Sequence, residues 1–578
     1  MPDDRLSTAT RERALARLVS SADAGGELDV LVIGGGITGA GIALDAASRG
    51  LDTAVVEAQD WGSGTSSRSS KLVHGGLRYL QMLDFKLVVE ALAERDLLLT
   101  RVAPHLVRPV PFLYPLRHRV WERAFVGAGI ALYDALASLR RGKRALPWHR
   151  HLSRAQVAEV FPDLSASAAV GAIEYWDATV DDARYVATLV RTAVGRGAHA
   201  AARTQVVELT KNDRGMVDGA VLRDLETGDV FPVKARHVIS STGVWTERSQ
   251  ALAGETGGLR VLASKGIHIV VPRDRVRGDA GLILQTKTSV LFVIPWSRYW
   301  VIGTTDTPWN EDLVSPTAHA RDIDYVLNEA NAVLEHALTR DDIVGTWAGL
   351  RPLLQPGTKE GTSSEKVSRE HTVASPVPGL TVIAGGKLTT YRVMARDAVD
   401  FALGEEQASV RPSLTKSIPL TGVGTLGQME RDKRAIGRQF GWDGAMIDHL
   451  THRYGANIGD IAQICDAQAD MAVPLRHAPA YLRAEIVYAL THEGALHLED
   501  VMHRRTRMVY EYPGEARAAV REVAEIAAGE LGWTAEQRDS EVRAYLADAD
   551  AVAAAALEPD DAAAARARAA APGILRMA

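Results

Sequence analysis

The stretch from Asp29 to Asp60 constrains the fold more than any other part of the chain. It opens with the apolar run Val30-Leu31-Val32-Ile33 and passes through Gly34-Gly35-Gly36-Ile37-Thr38-Gly39 into a helical pattern that ends at Arg49. A second apolar run, Thr53 to Val56, then closes on Glu57. Strand, glycine turn, helix and strand make a βαβ unit, the context in which G-x-G-x-x-G carries a mechanism. Gly34 permits the tight turn and Gly36 lets backbone approach a pyrophosphate. Gly39 brings the helix close to the sheet, and the first helical N–H groups, at Ile37 and Thr38, face the anion. Glu57 stands 21 residues beyond Gly36. A carboxylate there accepts from ribose hydroxyls and repels a 2′-phosphate, which favours FAD or NAD over NADP.

Later segments separate those two. Trp61 to Lys71 carries six hydroxyl side chains, among them Thr65, Ser66, Ser67 and Ser70, beside Arg68 and Lys71. Hydroxyls, amides and cations suit a diphosphate and a ribityl chain, although a flexible serine-rich loop has the same composition. Ile239 to Gly243 runs a strand into Thr242-Gly243, and Ala384 to Thr390 is another glycine turn opening a helix. A cofactor touched by segments about 350 residues apart is long and buried, which points to a flavin. Val206, in the strand-like run 205–209, is a further candidate contact.

Composition sets the outer limits. With 66 Lys and Arg against 72 Asp and Glu in 578 residues, the net charge of −6 excludes a basic nucleic-acid binder. One cysteine, Cys465, excludes an internal disulfide framework and a thiolate metal cluster and fits a reducing compartment. Histidines 492 and 497 in His492-Glu493-Gly494-Ala495-Leu496-His497 are five apart, about 140° around a helix, so no metal is expected there or elsewhere. No apolar run approaches the ~20 residues that cross a bilayer, so any membrane role is peripheral. Residues 1–27 read as an arm, a short helix or mobile, and 28–411 as the interleaved oxidoreductase part. A helical domain is expected over 412–547, where Leu482, Ile486, Val487 and Leu490 keep helical spacing. The alanine-rich tail, 548–578, can be helical but has few large apolar groups to bury, so it is expected to be peripheral or frayed. Pro104, Pro109, Pro111 and Pro115 should restrict their segment to a connection wrapping a scaffold.

Several longer strings have a common look. Ser69-Ser70-Lys71-Leu72-Val73-His74-Gly75-Gly76-Leu77-Arg78-Tyr79-Leu80, Lys265 to Pro272, Ile302 to Asp306, Gly349 to Leu353 and Gly385 to Arg392 occur in order between 29 and 395. Together they resemble the FAD-dependent glycerol-3-phosphate dehydrogenases. The resemblance implies an α/β fold: a Rossmann-like FAD-binding domain interleaved with a mixed-sheet substrate domain, plus an all-α C-terminal cap. It also implies a cytoplasmic-face, peripherally membrane-associated flavoenzyme that oxidises sn-glycerol 3-phosphate to dihydroxyacetone phosphate and passes electrons to quinone. An oxidase on the same scaffold and a non-catalytic flavin-binding module are the alternatives, and a homodimer is one open assembly.

By the same resemblance, Arg351 and Arg369 hold the phosphate, with Arg78 and Tyr79 closing the pocket. His371 stands where the family pattern allows an aromatic residue. Lys387 can stabilise negative charge on substrate or reduced flavin. His268 suits the general base, against the plainer reading of a buried core histidine. His74, Gly75 and Gly76, with Leu72, Gly386, Leu388 and Thr389, complete the expected flavin contacts. In 116–144, Trp121, Phe125, Leu132, Leu136 and Leu139 alternate with Arg117, Arg119, Arg123, Arg140, Arg141, Lys143 and Arg144. Such a basic amphipathic element can lie on anionic headgroups, though its spacing also fits a core-facing helix.

Overall fold

The computed structural model describes residues 3–81, 84–138, 145–254, 258–286, 290–355, 371–424, 426–512 and 514–571. The βαβ unit lies at the centre of a sheet. Strand Leu28–Ile33 pairs in parallel with Val230–Ser240 on one side and Thr53–Val56 on the other. His199–Ala201 and Leu380–Gly385 extend the parallel array, and His371–Val377 closes one edge antiparallel. Both faces of the central strand are buried, which is why it reads as an unbroken apolar run. Val30 and Val32 join a core with Ala40, Val186, Leu189 and Met394, supplied by helices Ile37–Ser48, Asp182–Val194 and Tyr391–Val410. Leu31 and Ile33 face the opposite core, which contains Ala14 and Leu18.

Those last two residues show that the arm is a helix, Thr8–Ser20, and a working layer of the fold. Arg11 pairs with Asp224 at 2.5 Å, and the Leu6 N–H donates to the His492 carbonyl at 3.0 Å.

A second sheet, ten-stranded among the described residues and mostly antiparallel, carries the remaining strings. Strand Val261–Pro272 pairs antiparallel with both Gly345–Leu354 and Tyr299–Gly303. Alternation along it sends Ile267, Ile269 and Val271 into one core. His268 and Val270 project from the other face. The proline-rich segment departs from expectation, because Arg108–Leu116 is a strand inside this sheet, paired over nine positions with Gly171–Thr179. Pro109, Pro111 and Pro115 share one parity, so their missing N–H groups fall on a single edge. Along its other neighbour, Gly281–Gln285, the pairing among the described residues is at Phe112 and Leu113.

Helices from Leu426 onward enclose a separate core around Tyr481, Ile486, Leu490, Val520 and Val523. Buried ion pairs tie this domain to the parallel-sheet part. Asp60, 1 % exposed, accepts two hydrogen bonds from Arg505, each 2.6 Å, and one from Arg504. Arg184 grips Glu493 with two bonds of 2.6 and 3.1 Å, and Arg203 reaches Asp500 at 2.6 Å. His497 bridges Glu226 and Glu541; burial opposes its protonation, but the two carboxylates raise its pKa to about 10. His492 instead stacks on Tyr488.

The tail is helical to Ala569, as its composition allows, and it is docked at the periphery rather than frayed over the described residues to 571. Asp561 at the start of helix Asp561–Ala569 pairs with buried Lys265, and the Ala320 N–H donates to the Glu558 carbonyl at 2.8 Å. Small alanines permit close approach, and the charge supplies an anchor that apolar patterning does not reveal.

Asp60→Asn would leave two buried guanidiniums facing a neutral acceptor, which costs about 3–5 kcal/mol. A lower denaturant midpoint is therefore expected in equilibrium unfolding, and an unchanged midpoint would show that the domains are joined by other forces.

Candidate active site

The glycine turn opens onto a cavity of about 670 Å³. Gly34 has φ +104°, a conformation open to glycine and costly for other residues. A Cβ on Gly39 would lie 1.8 Å from the Gly34 carbonyl oxygen, so helix and turn touch as the motif requires. A Cβ on Gly35 would meet the Trp61 ring at 2.5 Å. Helix Ile37–Ser48 starts at Gly36 with no side-chain cap from that residue. Ser66 serves from outside, its hydroxyl accepting the Ile37 N–H at 2.9 Å. The Glu57 carboxylate lines the cavity and is braced by the N–H groups of Gly35, at 2.6 Å, and Gln59, at 2.8 Å. Burial raises its proton affinity, and these N–H groups counter that.

A second, smaller chamber of about 130 Å³ adjoins this cavity, and Ser70, Leu72, His74 and Arg351 line both. These four residues form the neck. His268 lies on the cavity side of it, 2 % exposed, its Nε2 2.8 Å from the Ser70 hydroxyl. Its ring stacks on Trp347, its cross-strand partner, with centroids 5.2 Å apart. Burial, then the nearby charges of Arg351 and Lys71, hold the His268 pKa well below its ordinary value, so the ring is neutral. Its buried Nδ1 has no hydrogen-bond partner among the described residues.

The Arg351 guanidinium is held by the Thr305 carbonyl, 3.1 Å from both Nη atoms, by the Thr304 hydroxyl at 3.1 Å, and by Asp306 at 3.3 Å. Lys387 follows two left-handed glycines, Gly385 (φ +81°) and Gly386 (φ +79°), and a Cβ on Gly386 would strike Met394 at 2.3 Å. That turn sets the Lys387 ammonium 3.5 Å above the centre of the Tyr79 ring, and Tyr79 borders the smaller chamber.

Most residues expected from sequence converge on these two spaces. Gly34, Gly36, Ile37, Thr38, Glu57, Thr65, Ser66, Ser70, Leu72 and His74 line the larger cavity. So do Val206, Thr242, Gly243, His268, Arg351, Gly386, Lys387, Leu388 and Thr389.

Four expected flavin contacts are placed elsewhere. Lys71 turns away: its ammonium pairs with Asp182 at 2.7 Å and sits over the Trp347 ring. Ser67 is buried beside it, its carbonyl accepting from Lys71 at 3.3 Å. Gly75 faces helix Trp121–Ser138, donating its N–H to the Tyr133 hydroxyl at 2.8 Å. Gly76 borders only the smaller chamber. Gly39 acts behind the turn, as its packing role requires. Arg369 lies outside the described residues, as does the side chain of Arg78 on helix Leu77–Gln81. His371 pairs with Asp397 at 2.9 Å.

Sequence reading missed Trp347 and the Ser70–His268 contact, whose residues lie 198 positions apart. No local pattern reports such a pair.

The larger cavity fits FAD. It combines a glycine turn with no side chain at Gly34 and Gly36, a helix N-terminus whose own N-cap residue has no side chain, a carboxylate and hydroxyls for the sugar parts, and walls from segments far apart in sequence. Comparisons with known proteins agree. A family model for FAD-dependent oxidoreductases matches residues 29–392, and one for the C-terminal domain of alpha-glycerophosphate oxidase matches 413–538. The glycerol-3-phosphate dehydrogenase of Mycobacterium leprae is 49% identical over 546 residues, 94% of this chain and 92% of that protein. Glycerol-3-phosphate dehydrogenase 2 of Mycobacterium tuberculosis (strain ATCC 25618 / H37Rv) is 48% identical over 571 residues, 99% of this chain and 95% of that one. The crystal structure of the Bacillus halodurans glycerol-3-phosphate dehydrogenase complexed with FAD superimposes with a TM-score of 0.76 at 28% identity, covering 94% of this chain and 98% of that one. On the strength of the glycine cradle, the ordered strings and these matches along nearly its whole length, this chain belongs to the FAD-dependent glycerol-3-phosphate dehydrogenases.

Proposed function

We propose that the protein oxidises sn-glycerol 3-phosphate to dihydroxyacetone phosphate in the smaller chamber, with FAD in the larger one and a membrane quinone as final acceptor. The observation that carries this reading is the neck, where a braced arginine stands between two spaces of very different size and a neutral histidine lies just on the cavity side. Bound FAD supplies a two-electron acceptor for the hydride of the carbinol carbon. Arg351 offers a guanidinium fork for the phosphate, with Arg78 and Arg369 as further cationic candidates. Because Thr304, Thr305 and Asp306 already fix that guanidinium, little side-chain entropy is lost when the phosphate binds. His268, neutral and with Ser70 on Nε2, accepts the hydroxyl proton as the carbon is oxidised. Lys387, steadied over Tyr79, opposes the negative charge that builds up during the reaction.

Quinone as acceptor draws support from helix Trp121–Ser138. No described helix is long and apolar enough to cross a membrane. Yet this helix exposes Trp121 (63 %), Phe125 (69 %) and Leu132 (40 %) along one stripe, with Ala124, Ala128 and Ala135 between them. Val120, next in sequence, is exposed too, as are Arg117 and Arg119 just before it. The basic residues 140–144 and Leu139 lie outside the described residues. Its inner face carries Tyr133, bonded to Gly75 next to the chamber. One helix thus stands directly behind the chamber wall, where Tyr133 donates to Asp177 at 2.8 Å, and carries an apolar surface suited to headgroups, which favours an acceptor dissolved in lipid over oxygen.

Anaerobic addition of glycerol 3-phosphate should bleach the flavin absorbance, with a quinone analogue restoring it faster than dissolved oxygen; the reverse order of acceptors would make the enzyme an oxidase. Arg351→Ala is expected to raise the apparent KM about 10–100-fold with FAD content unchanged, from the loss of a charged hydrogen-bonding group. For His268→Ala the reduction rate should fall about 10²–10⁴-fold, and the loss of rate toward acid pH, which in the native protein sets in well below ~6.5, should disappear. A native pH profile in that variant would remove His268 as the base. Each ring buried in lipid contributes about 1.5–3 kcal/mol. Trp121→Ser/Phe125→Ser should therefore weaken flotation with anionic vesicles about tenfold or more while turnover with a soluble dye is kept; equal flotation would exclude this face.

A further inference from the structure

The His268 ring is clamped from two directions, and both clamps lead to the same short piece of the C-terminal domain. On one side is Trp347, stacked on His268 across adjacent strands. Behind Trp347 sits Tyr510, its ring edge-on with centroids 5.2 Å apart. The fit is close at the backbone as well, since a Cβ on Gly345 would lie 3.0 Å from the Tyr510 carbonyl oxygen. On the other side is Ser70, whose hydroxyl meets His268 Nε2. The residues flanking Ser70 are held by one carboxylate, Asp182, which accepts from the Ser69 N–H at 3.0 Å, the Ser69 hydroxyl at 2.7 Å and the Lys71 ammonium at 2.7 Å. Asp182 is fully buried, and its remaining charged partner is Arg507, at 2.6 Å. The Lys71 ammonium closes the circuit, 4.7 Å from the centre of the Trp347 ring.

We propose that the C-terminal domain is part of the active centre, with Tyr510 acting through Trp347 and Arg507 acting through Asp182 as positioning residues for His268. The inference rests on His268 being the reacting base. Neither residue lines the cavity or the smaller chamber, so neither is a catalytic residue. Their effect is mechanical: a ring with one hydrogen bond and one stacked face keeps its direction only if Ser70 and Trp347 are themselves immobile. Rigid support of this kind matters because misplacing a reacting group by about 1 Å can cost ~10²-fold in rate.

The charges that face the histidine are few. Lys71 comes from the loop and Arg351 from strand Gly345–Leu354, while strand Tyr299–Gly303 presents Gly303 and no charged residue. The C-terminal segment contributes Arg507 and Tyr510 at one remove, through Asp182 and Trp347. Burial is the largest influence on His268, so loosening the wall behind Trp347 and admitting water should return its pKa toward ~6.5. The neutral ring is the active form, so the acid limb of the rate profile would move to higher pH.

The test uses full-length, FAD-loaded enzyme and the anaerobic rate of flavin reduction by glycerol 3-phosphate. Tyr510→Ala is expected to lower that rate about tenfold or more. FAD content and apparent substrate affinity should stay within about twofold, and the acid limb should shift upward. Tyr510→Phe, which keeps the ring, should restore the native rate and profile, and Arg507→Lys should reproduce the defect in milder form. Tyr510→Leu keeps most of the volume without the aromatic edge and stands in if the alanine variant fails to fold. In the double variant with His268→Ala, Tyr510→Ala should cause no further loss, because both act through one group. A native rate and pH limb in Tyr510→Ala or Tyr510→Leu, or losses that multiply in the double variant, would overturn the proposal while leaving His268 as base. If His268→Ala alone changes nothing, the base assignment fails and the positioning role falls with it.

Discussion

Asp182 is the buried charge on which the arrangement of the site depends. It is wholly removed from solvent, and it joins the cofactor loop, through Ser69 and Lys71, to the C-terminal domain, through Arg507. Two cations on one carboxylate would be unstable alone. Asp181, next in sequence, accepts from Arg507 at 2.7 Å and balances the count, and Arg507 together with Arg453 holds its pKa far below the ordinary range despite burial. Lys71 shows the cost: burial and then repulsion from Arg507 bring its pKa down to about 8, even with Asp182 in contact. Clusters like this add little net stability, since desolvation consumes most of the attraction, but removing one member strands the others. Their value is geometric, because a charge held by several fixed partners has one place to be.

The same reasoning explains why ion pairs of Asp60, Arg184, Arg203, Glu493 and Asp500 lie buried between the two domains beside the Trp347–Tyr510 contact. An apolar interface tolerates small slides. A set of two-pronged pairs such as Arg505 on Asp60 and Arg184 on Glu493 does not, because each fork fixes direction as well as distance. A C-terminal domain seated this way can serve as a reference frame for a loop that touches the cofactor.

Legibility from sequence followed the range of the interaction. The glycine turn was readable because Gly34, Gly36, Gly39 and Glu57 act within one βαβ unit, where backbone geometry alone dictates residue type. Strands such as Thr53–Val56 were readable for the same reason. The docked tail was not, because its anchor is Asp561 on Lys265, 296 positions away, and alanine composition by itself suggests weakness. Prolines 109, 111 and 115 misled because proline excludes only the donor it lacks; with one parity, a strand can spend all three on a single edge. Composition puts Lys71 in the flavin site, yet its side chain points into the ion cluster, whose traces in sequence are the pair Asp181-Asp182 at a helix start and the basic run Arg504 to Arg507.

The division of labour at the neck follows from charge. A chamber for a dianion needs cations, but cations lower the proton affinity of any base beside them. His268 lies next to Arg351 and Lys71 and is buried as well, so its ring remains unprotonated at pH values where an exposed histidine would be charged. That favours a base ready to accept a proton and penalises it for keeping one. The penalty is tolerable only if the proton moves on, and the Ser70 hydroxyl on Nε2 is the contact through which it can leave, since Nδ1 is buried without a hydrogen-bond partner among the described residues. A cationic pocket therefore does more than bind phosphate: it keeps the histidine neutral between turnovers.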